Sequence, residues 1–154
     1  MVSTCAEVEP PFKAPDNAIA LITSDSTKRW KLAKRYNNGH RMNMGDCFLS
    51  YRVTYSNELQ MWDNNSEHSE CGKSLKAAWE LITNEGGSFL KLHSDLLPEL
   101  LNTEDSHKYF KINALSENEL ILQFKHQQFS DKSTVIIDHL VPEQVHVEDR
   151  EFHY

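Results

Sequence analysis

The feature that most restricts this chain is a two-residue alternation of apolar and polar side chains, restarted several times between clusters of turn residues. Such a pattern describes half-buried β-strands, because successive side chains of a strand point to opposite faces. Trp30 and Leu32 share one face, Lys31 and Ala33 the other, and Tyr36 is expected to rejoin the first. Asn37-Asn38-Gly39 then turns the chain, since Asn and Gly tolerate positive φ. Between Phe48 and Tyr55, Leu49, Tyr51, Val53 and Tyr55 alternate with Ser50, Arg52 and Thr54. After Ser56-Asn57-Glu58, Leu59 and Met61 alternate with Gln60 and Trp62. Leu75, Ala77, Trp79 and Leu81 form the next set, and Asn84-Glu85-Gly86-Gly87 leads into Phe89-Leu90-Lys91-Leu92. Tyr109 to Leu115, Leu120 to Phe124, and Ser133 to Asp138 complete the series.

Little helix interrupts these segments. Asp16 is placed to cap a short helix with Ala18, Ile19, Leu21 and Ile22 as its apolar stripe. Leu96, Leu97, Leu100 and Leu101 sit at helical spacing, with Pro98 where only a helix start accepts it. Neither segment is long enough for parallel crossovers, so neighbouring strands are expected to pair antiparallel. The expected fold is mainly β: a single antiparallel up-and-down eight-stranded β-barrel with a short N-terminal helix, closed so that no strand edge is left exposed. A two-sheet sandwich is the alternative. Residues 1–15, with Pro10, Pro11 and Pro15, read as a flexible tether, residues 16–138 as the barrel domain, and residues 139–154 as a polar acidic tail.

A chain of 154 residues suits one domain. Its net charge of −7 opposes binding to nucleic acid, which needs a basic face to displace counterions. Lys28, Arg29, Lys31, Lys34, Arg35 and Arg41 crowd one segment and read as a solvated strand face. No apolar run approaches the roughly 20 residues that span a bilayer. The eight histidines are scattered without a metal-ligand spacing; His139, His146 and His153 recur in the tail, where solvation is the expected role. Glu67, His68, Glu70 and Cys71 read as loop decoration. No nucleophile elbow, phosphate loop or dinucleotide fingerprint is present, so no catalytic residue, metal or cofactor is assigned.

Four features give the chain a resemblance to a known family. They are Trp30-Lys31-Leu32 followed by Asn38-Gly39; Asp46-Cys47 ahead of an aromatic strand; Cys71 ahead of a strand holding Trp79-Glu80-Leu81; and the late hairpin of Ile112 to Leu115 and Glu119-Leu120-Ile121-Leu122. Over roughly residues 21–137 the chain resembles the small lipocalin-like domains of secreted and lipid-anchored proteins of Bacteroidetes-type bacteria. The resemblance implies a lipocalin-like barrel and, from the broader class, a small apolar ligand held inside it. Aromatic and polar side chains expected on the inner wall then become candidate ligand contacts: Trp30, Tyr51, Arg52, Tyr55, Trp79, Phe110 and Phe124. Phe89 is expected to face inward as well. A core filled by these side chains is the competing reading.

In a barrel meander the start of one strand and the end of the next share a rim, so Cys47 and Cys71 are placed to form a disulfide. That bond implies an oxidising compartment, periplasmic or cell-surface; without it the chain reads as cytoplasmic. Cys5 is left over. Met1 to Thr4 ahead of it would suit a remnant preceding a lipoprotein cysteine, which would make Cys5 a lipidation site and the only membrane attachment. Three functions stay open. One is a non-enzymatic extracytoplasmic binding module that holds a small apolar ligand or supports an envelope complex. Another is an interaction subunit docking a protein partner through its outer face and residues 140–154, where Val145 and Val147 alternate with charges. The last is an enzyme built on a lipocalin-type barrel.

Overall fold

A computed structural model describes residues 10–101, 105–127 and 133–154. Cys5, the expected lipidation site, lies outside the described residues. The expected barrel is present, with one short strand added. The strands are β1 (Thr27–Asn37), β2 (His40–Arg41), β3 (Arg52–Ser56), β4 (Gln60–Asp63), β5 (Lys76–Asn84), β6 (Gly87–His93), β7 (His107–Ser116), β8 (Glu119–Gln127) and β9 (Ser133–Pro142). Their order in the sheet is β2-β1-β3-β4-β5-β6-β7-β8-β9, and β1 also pairs with β9, which closes the wall. Every pairing is antiparallel. Among the described residues the α-helices are α1 (Ala18–Thr23), α2 (Asp46–Ser50) and α3 (Leu97–Leu101), with one 3-10 turn at Asn65–Glu67.

The two ends of the barrel differ. At one end the turns are tight and α1 closes the opening, setting Ile22 against the core beside Trp30. Trp30 is fully buried and its indole Nε1 donates to the Ile22 carbonyl at 3.0 Å, so the ring fixes both strand and helix. Asp16 does not cap α1: the Ala18 N–H is taken by the Pro15 carbonyl instead, and Asn17 at the N-cap makes no side-chain bond. The described part of the expected tether is docked. Ala14 N–H donates to Ser88 Oγ and the Phe12 carbonyl accepts from Ser88 N–H. Gly87, at φ +126°, lets this segment approach; a Cβ there would lie 3.3 Å from both the Phe12 carbonyl oxygen and Pro11 Cβ.

At the other end longer connections gather: residues 38–51, 64–75 and, in its described parts, the β6–β7 connection at 94–101 and 105–106. Here the sequence reading needs a correction. Phe48 to Ser50, expected to begin a strand, belong to α2, and β3 starts only at Arg52. Aromatic and aliphatic residues at alternate positions do not by themselves separate a short strand from a single helical turn. The expected disulfide is formed: Cys47 on α2 is bonded to Cys71 in the β4–β5 connection, with Cα atoms 5.4 Å apart. It ties together two of the mouth connections and closes a loop of 24 residues. Replacing both cysteines by serine is expected to lower unfolding free energy by about 3 kcal/mol on the chain-entropy model, read as a lower urea midpoint. An unchanged midpoint would show that the two connections are held by packing alone.

A bulge in β1 decides what lines the mouth. Leu32 pairs with Leu140, but the next pair is Lys34 with His139, so Ala33 is an extra residue. One added residue reverses the facing of everything after it. Tyr36 therefore does not rejoin the face of Trp30; it packs on the outside against His139, ring centroids 5.5 Å apart. Arg35, read as part of a solvated basic face, turns into the barrel.

The C-terminal segment also departs from expectation. β9 runs to Pro142, four residues into the stretch read as tail, and His139 is a strand residue. Beyond it the chain turns at Pro142–Val145 and is not the extended strand that Val145 and Val147 suggested. It folds back along β1 and α2. The Arg150 guanidinium donates to the carbonyls of Leu32 and Leu49, the Phe152 carbonyl accepts from Met44 N–H, and Arg41 lies 4.2 Å above the Phe152 ring.

Candidate ligand site

Above the packed layer of Trp30, Leu32, Leu90, Ile112 and Leu120 the interior opens into a cavity of about 360 Å³ at the mouth. The strand phase selects its walls. β3 contributes Val53 and Tyr55, with Tyr51 just ahead of it; β7 contributes Lys108 and Phe110; β8 contributes Leu122, Phe124 and His126; β9 contributes Ile136, Asp138 and Leu140. Arg35 and Asn37 enter from β1 because of the bulge.

Of the residues expected at the site, Tyr51, Tyr55, Phe110 and Phe124 line this cavity. Trp30 lies below it, bonded to α1. Trp79 is buried and meets Tyr55 edge-on, centroids 5.7 Å apart, while its indole donates to the Gln60 carbonyl; it backs the wall and is not among the lining side chains. Arg52 faces outward, as its position between Tyr51 and Val53 requires. It pairs with Glu143 at 3.2 Å and donates to the carbonyls of Leu49 and Tyr51. Phe89 is also on the outside, because Ser88 and Leu90 hold the inner face of β6.

The charged groups in the cavity were not foreseen from the sequence. Arg35 and Asp138 form a two-pronged ion pair: Nε donates to Oδ1 at 2.6 Å and Nη2 to Oδ2 at 2.8 Å. Asp138 is buried, and the Arg35 guanidinium is stacked 4.8 Å from the Phe48 ring of α2. Burial opposes the charge on Arg35, but the Asp138 hydrogen bonds outweigh it and hold the guanidinium above its ordinary value. Lys108 Nζ sits 4.6 Å from the Phe124 centroid and 5.4 Å from that of Phe110, whose rings meet edge to face at 4.8 Å. Burial first, and the neighbouring Arg35 charge second, push the Lys108 ammonium down to about 8. The same two influences, burial and then the charges of Lys108 and Arg35, lower His126. Burial raises the phenols of Tyr51 and Tyr55, so both keep their protons as hydrogen-bond donors.

The arrangement has the composition of a ligand pocket: mostly apolar walls, with a few polar groups converging on one end. A volume of this size holds on the order of a dozen non-hydrogen atoms, at the ~30 Å³ that a water molecule occupies in the liquid.

No protein-family model matches the chain, and no curated protein sequence matches it. Among solved structures, the chain is similar to a lipocalin-like protein from Bacteroides uniformis ATCC 8492, known from a crystal structure. The two are 12% identical, the match covers 74% of this chain and 97% of that one, and the TM-score is 0.41.

Proposed function

We propose that this protein is a binding module that holds one small, largely apolar molecule in the mouth half of its barrel. The observation that supports this reading is the cavity itself. Strand phase continues inward past the packed layer, yet the side chains of Val53, Leu122, Ile136 and Leu140 do not fill the space between them. Interiors are otherwise packed with few voids larger than a water molecule, and each such void costs stability. The disulfide fits work in an oxidising compartment, and we assign the protein to the periplasm or cell surface on that support.

Titration with 1-naphthol, a neutral fluorescent probe of about the right size for the cavity, tests the binding reading. One molecule is expected to bind per chain, and Leu122→Trp, which puts an indole where the ligand would lie, is expected to abolish that binding while leaving the circular dichroism of the barrel unchanged. A native protein that fails to bind, or a variant that binds equally well, would remove the cavity from consideration.

A further inference from the structure

Among the described residues, the charges that line the cavity do not balance. Asp138 is committed to Arg35 through both carboxylate oxygens. Among the described residues no carboxylate pairs with Lys108, whose ammonium is held over two phenylalanine rings. Tyr51 and Tyr55 line the cavity on the opposite side of the sheet order, with their phenols protonated. Among the described residues that line it, the cavity therefore carries one cation in excess of its carboxylates. A half-buried cation of this kind attracts an anion far more strongly than it would in water, because the surrounding dielectric is lower.

We propose that the cavity selects an anionic amphiphile, a small monocarboxylic acid whose carboxylate is received by Lys108 and whose hydrocarbon part lies along Leu92, Leu122 and Leu140. The assignment rests on the binding reading above and adds the charge of the ligand to it. A ligand carboxylate at Lys108 completes a second ion pair in the cavity that also holds that of Arg35 and Asp138. Burial holds Lys108 near 8, which still leaves the ammonium as the main form at neutral pH.

Isothermal titration of the full chain with decanoate, 1-decanol and decylammonium separates charge from apolar fit, since the three share one hydrocarbon chain. Decanoate is expected to bind at least tenfold more tightly than 1-decanol, and decylammonium more weakly than either. Lys108→Met is expected to bring decanoate and 1-decanol to similar affinities, with 1-decanol binding kept; Lys108→Gln serves the same purpose should the methionine variant fail to fold. If 1-decanol binds the native protein as well as decanoate, the charge assignment fails and the binding module stands. If the preference for decanoate survives loss of the lysine, the head group lies elsewhere and the assignment also fails. If none of the three binds, both readings fall together.

Discussion

Asp138→Leu is expected to lower unfolding free energy by about 3–5 kcal/mol, the usual cost of removing one partner from a buried ion pair. Asp138 is 7% exposed and accepts two hydrogen bonds from Arg35. Its loss leaves a guanidinium in the interior facing Lys108, a second cation, with no anion between them. The pair is not thereby a large source of stability. Removing both partners, in Arg35→Met with Asp138→Leu, is expected to restore most of the loss, because apolar replacements abolish the stranded charge along with the pair. Urea unfolding followed by circular dichroism compares the two variants. A double variant as unstable as the single one would mean that the pair holds the mouth together through geometry and not through charge neutralisation.

A loss of similar size is expected at the opposite end. Trp30→Ala removes a fully buried indole, and large aromatic deletions from a core cost about 3–5 kcal/mol. Here the side chain also carries the hydrogen bond to Ile22, so the change frees a carbonyl at the end of α1. The helix is six residues long and could not persist without the packing it finds on the barrel. Amides of residues 18–24 are therefore expected to lose hydrogen-exchange protection before those of β6 or β8. Trp30→Phe keeps most of the packing and should cost about 1–2 kcal/mol, the share of the hydrogen bond and of the missing volume. If α1 kept its protection in Trp30→Ala, the helix would owe its place to Ile22 alone.

The strand series and the turns between them were legible in the sequence because each rests on local chemistry. Alternation marks Val53, Tyr55 and Met61 as inward, and Asn38 and Gly39 do adopt positive φ, 49° and 82°, at the β1–β2 turn. The charged side of the site was less legible, for two different reasons. Lys108, His126 and Asp138 stand two residues from Phe110, Phe124 and Leu140 on the same strands, so counting parity from those apolar neighbours would have placed them inside. A general bias toward solvating charged residues hid them. Arg35 could not be found by parity at all. The Ala33 bulge reverses the count, and nothing in Leu32-Ala33-Lys34 announces it, because the bulge arises from how β1 meets β9, a partner more than a hundred residues away. Arg52 fails as a site residue by the same parity that admits Tyr51.

The way Arg150 bridges the backbone of Leu32 and Leu49 has a bearing on the order of events during synthesis. β1 is made before the other strands of the barrel, yet one of its edges is completed by β9 and its Leu32 carbonyl by an arginine still later in the chain. Contacts at such sequence distance form slowly and cannot form on a partial chain. That edge of β1 must stay bare until β9 has been made, and the barrel reaches its finished shape in a late step that joins its earliest and latest strands.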